Sequence, residues 1–160
     1  MISQTFQEAT QEDLAAIVEM IYDDEAAKKR EVFSDPILPG YVSAFNTIQK
    51  NPNAHLITVK MADKVIGVAQ LNFIANLTYQ GGIRAQIEGV RIHKDYRSQG
   101  IGSQLFDHLI KLSQQNHCHL VQLTTSNSRD DAHRFYERLG FECSHAGYKL
   151  HIRRVTADEK

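Results

Sequence analysis

Tryptophan is absent from this 160-residue chain, and cysteine (two), proline and methionine (three each) are sparse. Cys118 and Cys143 stand far apart and outside any C-x-x-C pair, so neither a disulfide framework nor a zinc-ligand set is expected. They read as small buried side chains in a reducing compartment. The eight histidines show no H-E-x-x-H spacing, and no metal is expected. Nor is there an excess of one charge: 18 basic and 19 acidic side chains leave a formal charge of -1, without the surplus that holds a nucleic-acid backbone. No run approaches the ~18 uncharged apolar residues of a membrane span, and the first residues lack the basic-then-apolar pattern of a signal peptide. The expectation is a cytoplasmic protein with neither nucleic acid nor membrane as partner. What is present, 42% hydrophobic and 23% charged residues, suits one globular core. A single domain over residues 1–152 and a polar tail over 153–160 are expected.

Thr10, with Asp13 three positions on, marks a helix start leading into Leu14, Ile17, Val18 and Ile21 at helical spacing. Pro36 and Pro39 enforce a loop between Glu31 and Gly40, and a short helix over Tyr41–Gln49 follows. From Ala54 the period becomes two. Strands are predicted over His55–Lys60 and Val65–Phe73 with a hairpin turn at Ala62-Asp63-Lys64. A strand over about Ile83–His93 has a parity slip: Ile83, Ala85 and Ile87 are odd, Val90 and Ile92 even. With Gly89 inside it, the slip predicts a β-bulge at Glu88-Gly89, which would leave backbone groups unpaired. An amphipathic helix from Ile101 to Leu112, a strand His119–Thr125, a helix Ser128–Leu139 stopped by Gly140, and a last strand Tyr148–Ile152 complete the chain.

Between the bulged strand and the Ile101 helix lies Arg97-Ser98-Gln99-Gly100-Ile101-Gly102. A strand, a G-x-G turn and a helix start aim several free amides and a positive helix end at an anion. A tight turn serving only close packing has the same appearance. The loop lacks the G-K-[ST] of a Walker A sequence, and Leu105 occupies the third-glycine position of a dinucleotide fingerprint. Nucleotide hydrolysis and hydride transfer are therefore disfavoured.

R-x-x-G-x-G at Arg97–Gly102, followed by D-A-H-R-F-Y-E-R-L-G-F at Asp131–Phe141, resembles the GNAT family of N-acetyltransferases over nearly the whole chain. The resemblance implies an α/β fold: a central, mostly antiparallel mixed sheet with a splayed, bulged fourth strand, flanked by helices. It implies acetyl-CoA as cosubstrate, a small primary amine as acceptor, and a homodimer as a plausible assembly. Carried over by position, Arg97, Ser98, Gln99, Gly100, Ile101, Gly102 and Ser103 would hold the pyrophosphate, and the strand backbone at Val90, Arg91 and Ile92 the pantetheine arm. Tyr136 maps onto the tyrosine near the thioester sulfur. The sequence departs from the family where an asparagine is common: Arg129 stands there and Asn127 two residues earlier. Either Asn127 reaches the pantetheine through a longer turn or Arg129 contacts a CoA phosphate. Arg129–Tyr136 with Ser144-His145 is similar to a branch acting on aminoalkylphosphonates. Lys28, Lys29 and Arg30 would suit such an anionic acceptor if turned inward, whereas the acidic first helix suits a polyamine, and the two hints oppose one another.

Such chemistry needs a base, because deprotonating an alkylamine of pKa ~10.4 at neutral pH costs about 4 to 5 kcal/mol. Glu88, at the bulge, is the candidate, helped by burial or a water relay; its other reading is a surface partner for Arg84 or Arg91. Tyr136 is the candidate acid for the departing thiolate, and its other reading is a half-buried aromatic. Two alternatives to a small-molecule enzyme stand: a non-catalytic acyl-CoA-binding or regulatory domain, and an acetyltransferase acting on protein lysines or N-termini.

Overall fold

The switch from helical to two-residue periodicity at Ala54 marks the start of the sheet in the computed structural model, which describes residues 3–158. Five strands lie in the order β1 (Gln4–Glu8), β2 (Ala54–Met61), β3 (Lys64–Ala75), β4 (Ile83–Ile92) and β5 (Cys118–Gln122). The first four pair antiparallel and β5 runs parallel to β4. On one face α1 (Leu14–Tyr22) and α2 (Pro39–Lys50) bury Leu14, Ile17, Val18 and Phe45 against Leu56, Val65 and Val68. On the other, α3 (Ile101–Gln115) buries Ile101, Leu105, Phe106 and Leu109 against Ile57, Val59, Leu71 and Ile87. The fold is the expected mixed α/β arrangement around a mostly antiparallel sheet.

The predicted bulge is present. Val68 faces Arg91 and Gln70 faces Glu88, so one β3 residue, Ala69, opposes two on β4, Gly89 and Val90. Gly89 takes φ 62, the left-handed conformation that a bulge of this kind assigns to glycine. On its other side β4 stops pairing early. Its register with β5 runs only from Ile83 to Gln86, against Cys118 to Gln122, and the strands part beyond it.

Several expectations are corrected. β1 carries no alternating apolar pattern and was not anticipated; it forms because Thr5, Phe6 and Gln7 pair with the edge of β2. Tyr148–Ile152 is not a strand: it pairs with nothing and its apolar side chains are almost fully exposed. Cys118 is only half-buried and Cys143 is exposed, not the buried pair expected. Helix α2 starts two residues early, because Pro39 supplies the fixed φ and missing N–H suited to a first helical position. The last helix, α4, spans Asp130–Arg138, and the tail is held at Ala157, whose N–H donates to the Lys29 carbonyl at 3.0 Å. Residues 159–160 of that tail lie outside the described residues.

The Thr10 start is built as the sequence implies and extended by one ion pair. Thr10 N–H donates to Asp13 Oδ2 at 2.9 Å, and Asp13 N–H donates back to the Thr10 carbonyl at 3.0 Å. Asp13 Oδ1 lies 2.7 Å from Lys60 Nζ on β2, with side-chain exposures of 7% and 15%. Burial pushes the Asp13 carboxyl up, but Lys60 and Thr10 outweigh it and hold it below its ordinary value. The carboxylate therefore contributes stability that is present above its unfolded pKa of ~3.9 and lost as pH falls through its lower folded value. Asp13→Asn should lower unfolding free energy by about 2 kcal/mol at pH 7, because Lys60 keeps its charge half-buried without a partner. In denaturant titrations the gap from wild type should hold above about pH 5 and close at strongly acid pH. A gap constant down to the acid transition would disprove this origin.

Candidate active site

A 3-10 turn at Lys94–Tyr96 delivers the chain into the loop before α3. Ser98 at φ 60 and Gly100 at φ 79 are both left-handed, a conformation free for glycine and strained for serine. The first helical bond made by this turn runs from Gln104 N–H to the Gly100 carbonyl at 3.1 Å. The amides of Ile101, Gly102 and Ser103 therefore have no helical acceptor and point out of the positive end of α3. No acidic residue occupies that first turn. A Cβ on Gly102 would come within 3.3 Å of Phe135 Cζ, so the glycine lets the start of α3 abut α4. The Arg97 side chain lies along β4, its Nε donating to the Ile92 carbonyl at 3.0 Å.

His93 N–H donates to the Ile66 carbonyl at 2.8 Å. Since antiparallel pairing alternates, Ile92 turns its own backbone groups away from β3, toward the opening beside β5. The Val90 carbonyl accepts from Arg91 Nη1 at 2.8 Å. Each carbonyl retains a second lone pair for another donor. Glu88, at the edge of the bulge, is exposed and makes no ion pair with Arg84 or Arg91, so its structural reading finds no support.

Tyr136 is held by an aromatic cluster: its ring centroid lies 5.5 Å from Phe106, 5.4 Å from Phe135 and 6.0 Å from Phe141. Burial pushes its phenol up, against a smaller lowering by the charges of Arg129 and Arg91, so it remains a proton donor across neutral pH. Those two arginines belong to a charge network that sequence reasoning did not assemble. Arg91 Nη2 lies 3.9 Å from Asp24 Oδ2, and its Nε is buried without a hydrogen-bond partner. Burial lowers Arg91 most; Asp24 opposes this, and Arg129 and Arg30 add repulsion. Burial would raise Asp24, but the Ala26 N–H and the charges of Arg91 and Arg129 hold it below its usual range. Of the cations considered as turned inward, Arg30 acts on this network, whereas Lys28 pairs with Glu25 at 2.8 Å in solvent. Glu31 is fixed beside it by the Tyr41 hydroxyl, which donates at 2.8 Å. Asn127 is exposed in the turn before α4 and Arg129, also exposed, closes that turn through its N–H to Ser126. The one cue to this network in the sequence was Arg91, an arginine within the bulged strand.

The sequence model of the Acetyltransferase (GNAT) family matches residues 18–141, which include the bulged strand, the glycine loop and the tyrosine helix. The chain belongs to the GNAT acetyltransferase family. It is 33% identical over 95 residues to an aminoalkylphosphonate N-acetyltransferase of Salmonella typhimurium, an alignment covering 59% of this chain and 61% of that protein. A crystal structure of a transcriptional regulator from Bacillus halodurans C-125 is 47% identical, with a TM-score of 0.91 over 93% of this chain and 99% of that one. An acetyltransferase from Trypanosoma brucei shares the fold at 22% identity, with a TM-score of 0.76 over 92% and 99% of the two chains.

Because Gly102 sits against Phe135, Gly102→Val should force α3 and α4 apart and cost about 1–3 kcal/mol in denaturant unfolding. Gly40→Ala, where nothing lies within 4 Å of the added carbon, is the control and should cost far less. Equal losses would refute the packing role of Gly102.

Proposed function

We propose that this protein is an N-acetyltransferase that moves the acetyl group of acetyl-CoA to the primary amine of a small molecule, by direct attack in a ternary complex. The observation that carries the reading is the opening between β4 and β5 beyond Gln86 and Gln122, adjoined by a helix start whose amides have no acceptor. An unpaired strand edge suits a ligand that carries amides, and free amides at a helix start suit its diphosphate. In this reading Arg97, Ser98, Gln99, Gly100, Ile101, Gly102 and Ser103 bind the pyrophosphate, and the backbone of Val90, Arg91 and Ile92 binds the pantetheine. Asn127 and Arg129 border its path. Exposed Glu88 relays the amine proton through water, and Tyr136 donates a proton to the thiolate as the C–S bond breaks. The location is proposed as cytoplasmic; among the described residues no helix is long and apolar enough to cross a membrane.

The acceptor proposed is an amine that also carries an anion. Support comes from Arg91, whose buried Nε has no partner, beside Arg129 and Tyr136, with Asp24 close by to attract the amine end. The Salmonella relative is an aminoalkylphosphonate N-acetyltransferase, and an aminoalkylphosphonate has the same bipolar chemistry. A second reading, a regulatory domain that binds acyl-CoA without turnover, is favoured by the likeness to the Bacillus halodurans transcriptional regulator.

Calorimetry should detect binding of CoA, and thiol release from acetyl-CoA should depend on an added amine. Binding without acceptor-dependent release would select the regulatory reading. Tyr136→Phe should lower kcat by about 100-fold or more with little change in KM for acetyl-CoA. Unchanged turnover across pH in both Tyr136→Phe and Glu88→Gln would remove the acid and base roles. Arg91→Met should raise KM for aminoalkylphosphonates or amino acids by about tenfold or more, while leaving alkylamines that carry no anionic group nearly unaffected. A uniform effect on all acceptors would overturn the anionic-acceptor reading.

A further inference from the structure

Arg91 is not alone in holding a buried guanidinium Nε without a hydrogen-bond partner: Arg84, earlier on β4, does the same. Buried polar atoms are paired as a rule, so each of these donors calls for a partner that the chain does not supply. Arg84 makes no ion pair among the described residues.

Both arginines lie on one face of β4. Residues directly opposite in a ladder share a face. Val68 faces Arg91, Gln70 faces Glu88, Asn72 faces Gln86 and Ile74 faces Arg84. On β5, Leu120 and Gln122 lie beside Arg84 and Gln86. Helices α1 and α2 seat on this face at Leu56, Val65 and Val68. Beyond Val68 it turns polar, with Gln70, Asn72, Arg84, Gln86, Glu88 and Gln122 on three adjacent strands. Ile74 and Leu120, the apolar residues of this stretch, belong to neither core. A face covered by a helix would carry apolar side chains at these positions.

The amides of this patch are held in pairs. Gln70 Nε2 donates to Asn72 Oδ1 at 3.1 Å, and Gln122 Nε2 donates to Gln86 Oε1 at 2.5 Å. Each pair leaves a carbonyl oxygen on one member and an amide nitrogen on the other for a further bond. Of the six polar side chains Glu88 is exposed and the rest are half-buried.

We propose that this patch is a second acceptor subsite: the acceptor carries, besides the amine and the acid assigned to Arg91, a hydrogen-bonding arm that ends in a second acid on Arg84. The proposal rests on the acetyltransferase reading above, in which Glu88 relays the amine proton. Glu88 stands between the two arginines along the strand, so an amine delivered there has one cation on each side. Two cations flanking the proton-accepting carboxylate complement an acceptor with acids on both sides of its amine, which is the layout of an amino diacid. The paired amides between Glu88 and Arg84 offer donors and acceptors together, which suits oxygens of the arm and disfavours a purely apolar one. About 13 Å of extended strand separates Arg84 from Glu88, and the arginine's own stem spans part of it, so a short arm covers the rest.

Calorimetry on the full chain in excess CoA reads this subsite whether or not turnover occurs. The probes are glutamate, 2-aminoadipate, glutamine and norvaline, which share an amine and an α-carboxylate and differ in the arm. The better of the two diacids should bind about tenfold or more tighter than norvaline, with glutamine between them. In Arg84→Met that diacid should fall to the affinity of glutamine, whereas in Arg91→Met all four probes should weaken together. The ranking on the wild-type chain does not depend on any variant's folding. Diacids that bind no better than norvaline, or a preference that survives Arg84→Met, would overturn the subsite. A diacid preference without amine-dependent thiol release from acetyl-CoA would uphold the subsite and overturn the acetyltransferase reading instead.

Discussion

The local geometry of β4 governs what the rest of the structure can do. A strand in an ordinary sheet spends its amides and carbonyls on both neighbours, and a ligand then finds no backbone to bind. Here Gly89 accepts a left-handed conformation, two β4 residues oppose Ala69, and the strand turns its remaining groups away from β3 just where β5 has stopped pairing. The bulge and the short β4–β5 register thus create one polar opening in a sheet otherwise covered on both faces by apolar helices. The glycine loop before α3 depends on the same strand, because Arg97 reaches back to the Ile92 carbonyl and fixes where the chain leaves it.

Around this opening, packing and charge are arranged in separate layers. Tyr136 owes its position to Phe106, Phe135 and Phe141, whose rings fix the phenol without competing for its proton. Burial that raises its pKa is therefore a product of the core. The cations Arg91 and Arg129 act on the same phenol, balanced by Asp24. Three arginines acting on one another would repel if no acid stood among them; Asp24 and Glu31, from the segment after α1, supply it. Helix α1 is itself fixed to β2 by the Asp13–Lys60 pair, so a contact on one sheet face sets where Asp24 meets the end of β4.

Much of this was legible because the relevant signals are local. The parity slip around Gly89 could be read from which residues are apolar, since side-chain direction in a strand has a period of two. The Arg97–Gly102 loop and the Asp131–Phe141 helix likewise carry their chemistry within a few residues. Glu88 was placed at the bulge correctly, but its exposure was not visible, because exposure depends on what packs nearby. β1 escaped notice for the same reason: Thr5 and Gln7 are polar, and a strand at the sheet's edge is defined by its partner β2 more than by its own pattern. The alternation in Tyr148–Ile152 predicts a strand that the structure does not form, because a strand exists only by pairing and this segment pairs with nothing.

Sequence alone therefore determined the helices and strands from Leu14 to Arg138 to within a few residues, the kink in β4, the glycine loop and the tyrosine helix, because each is written in the spacing of neighbouring residues. Only the tertiary structure decided that β4 and β5 part beyond Gln86, that Asp24, Arg91 and Arg129 share one field with Tyr136, and that Tyr148–Ile152 joins no strand. These are relations between residues distant in the chain. They are set by how helices seat on a twisted sheet, and no local periodicity encodes them.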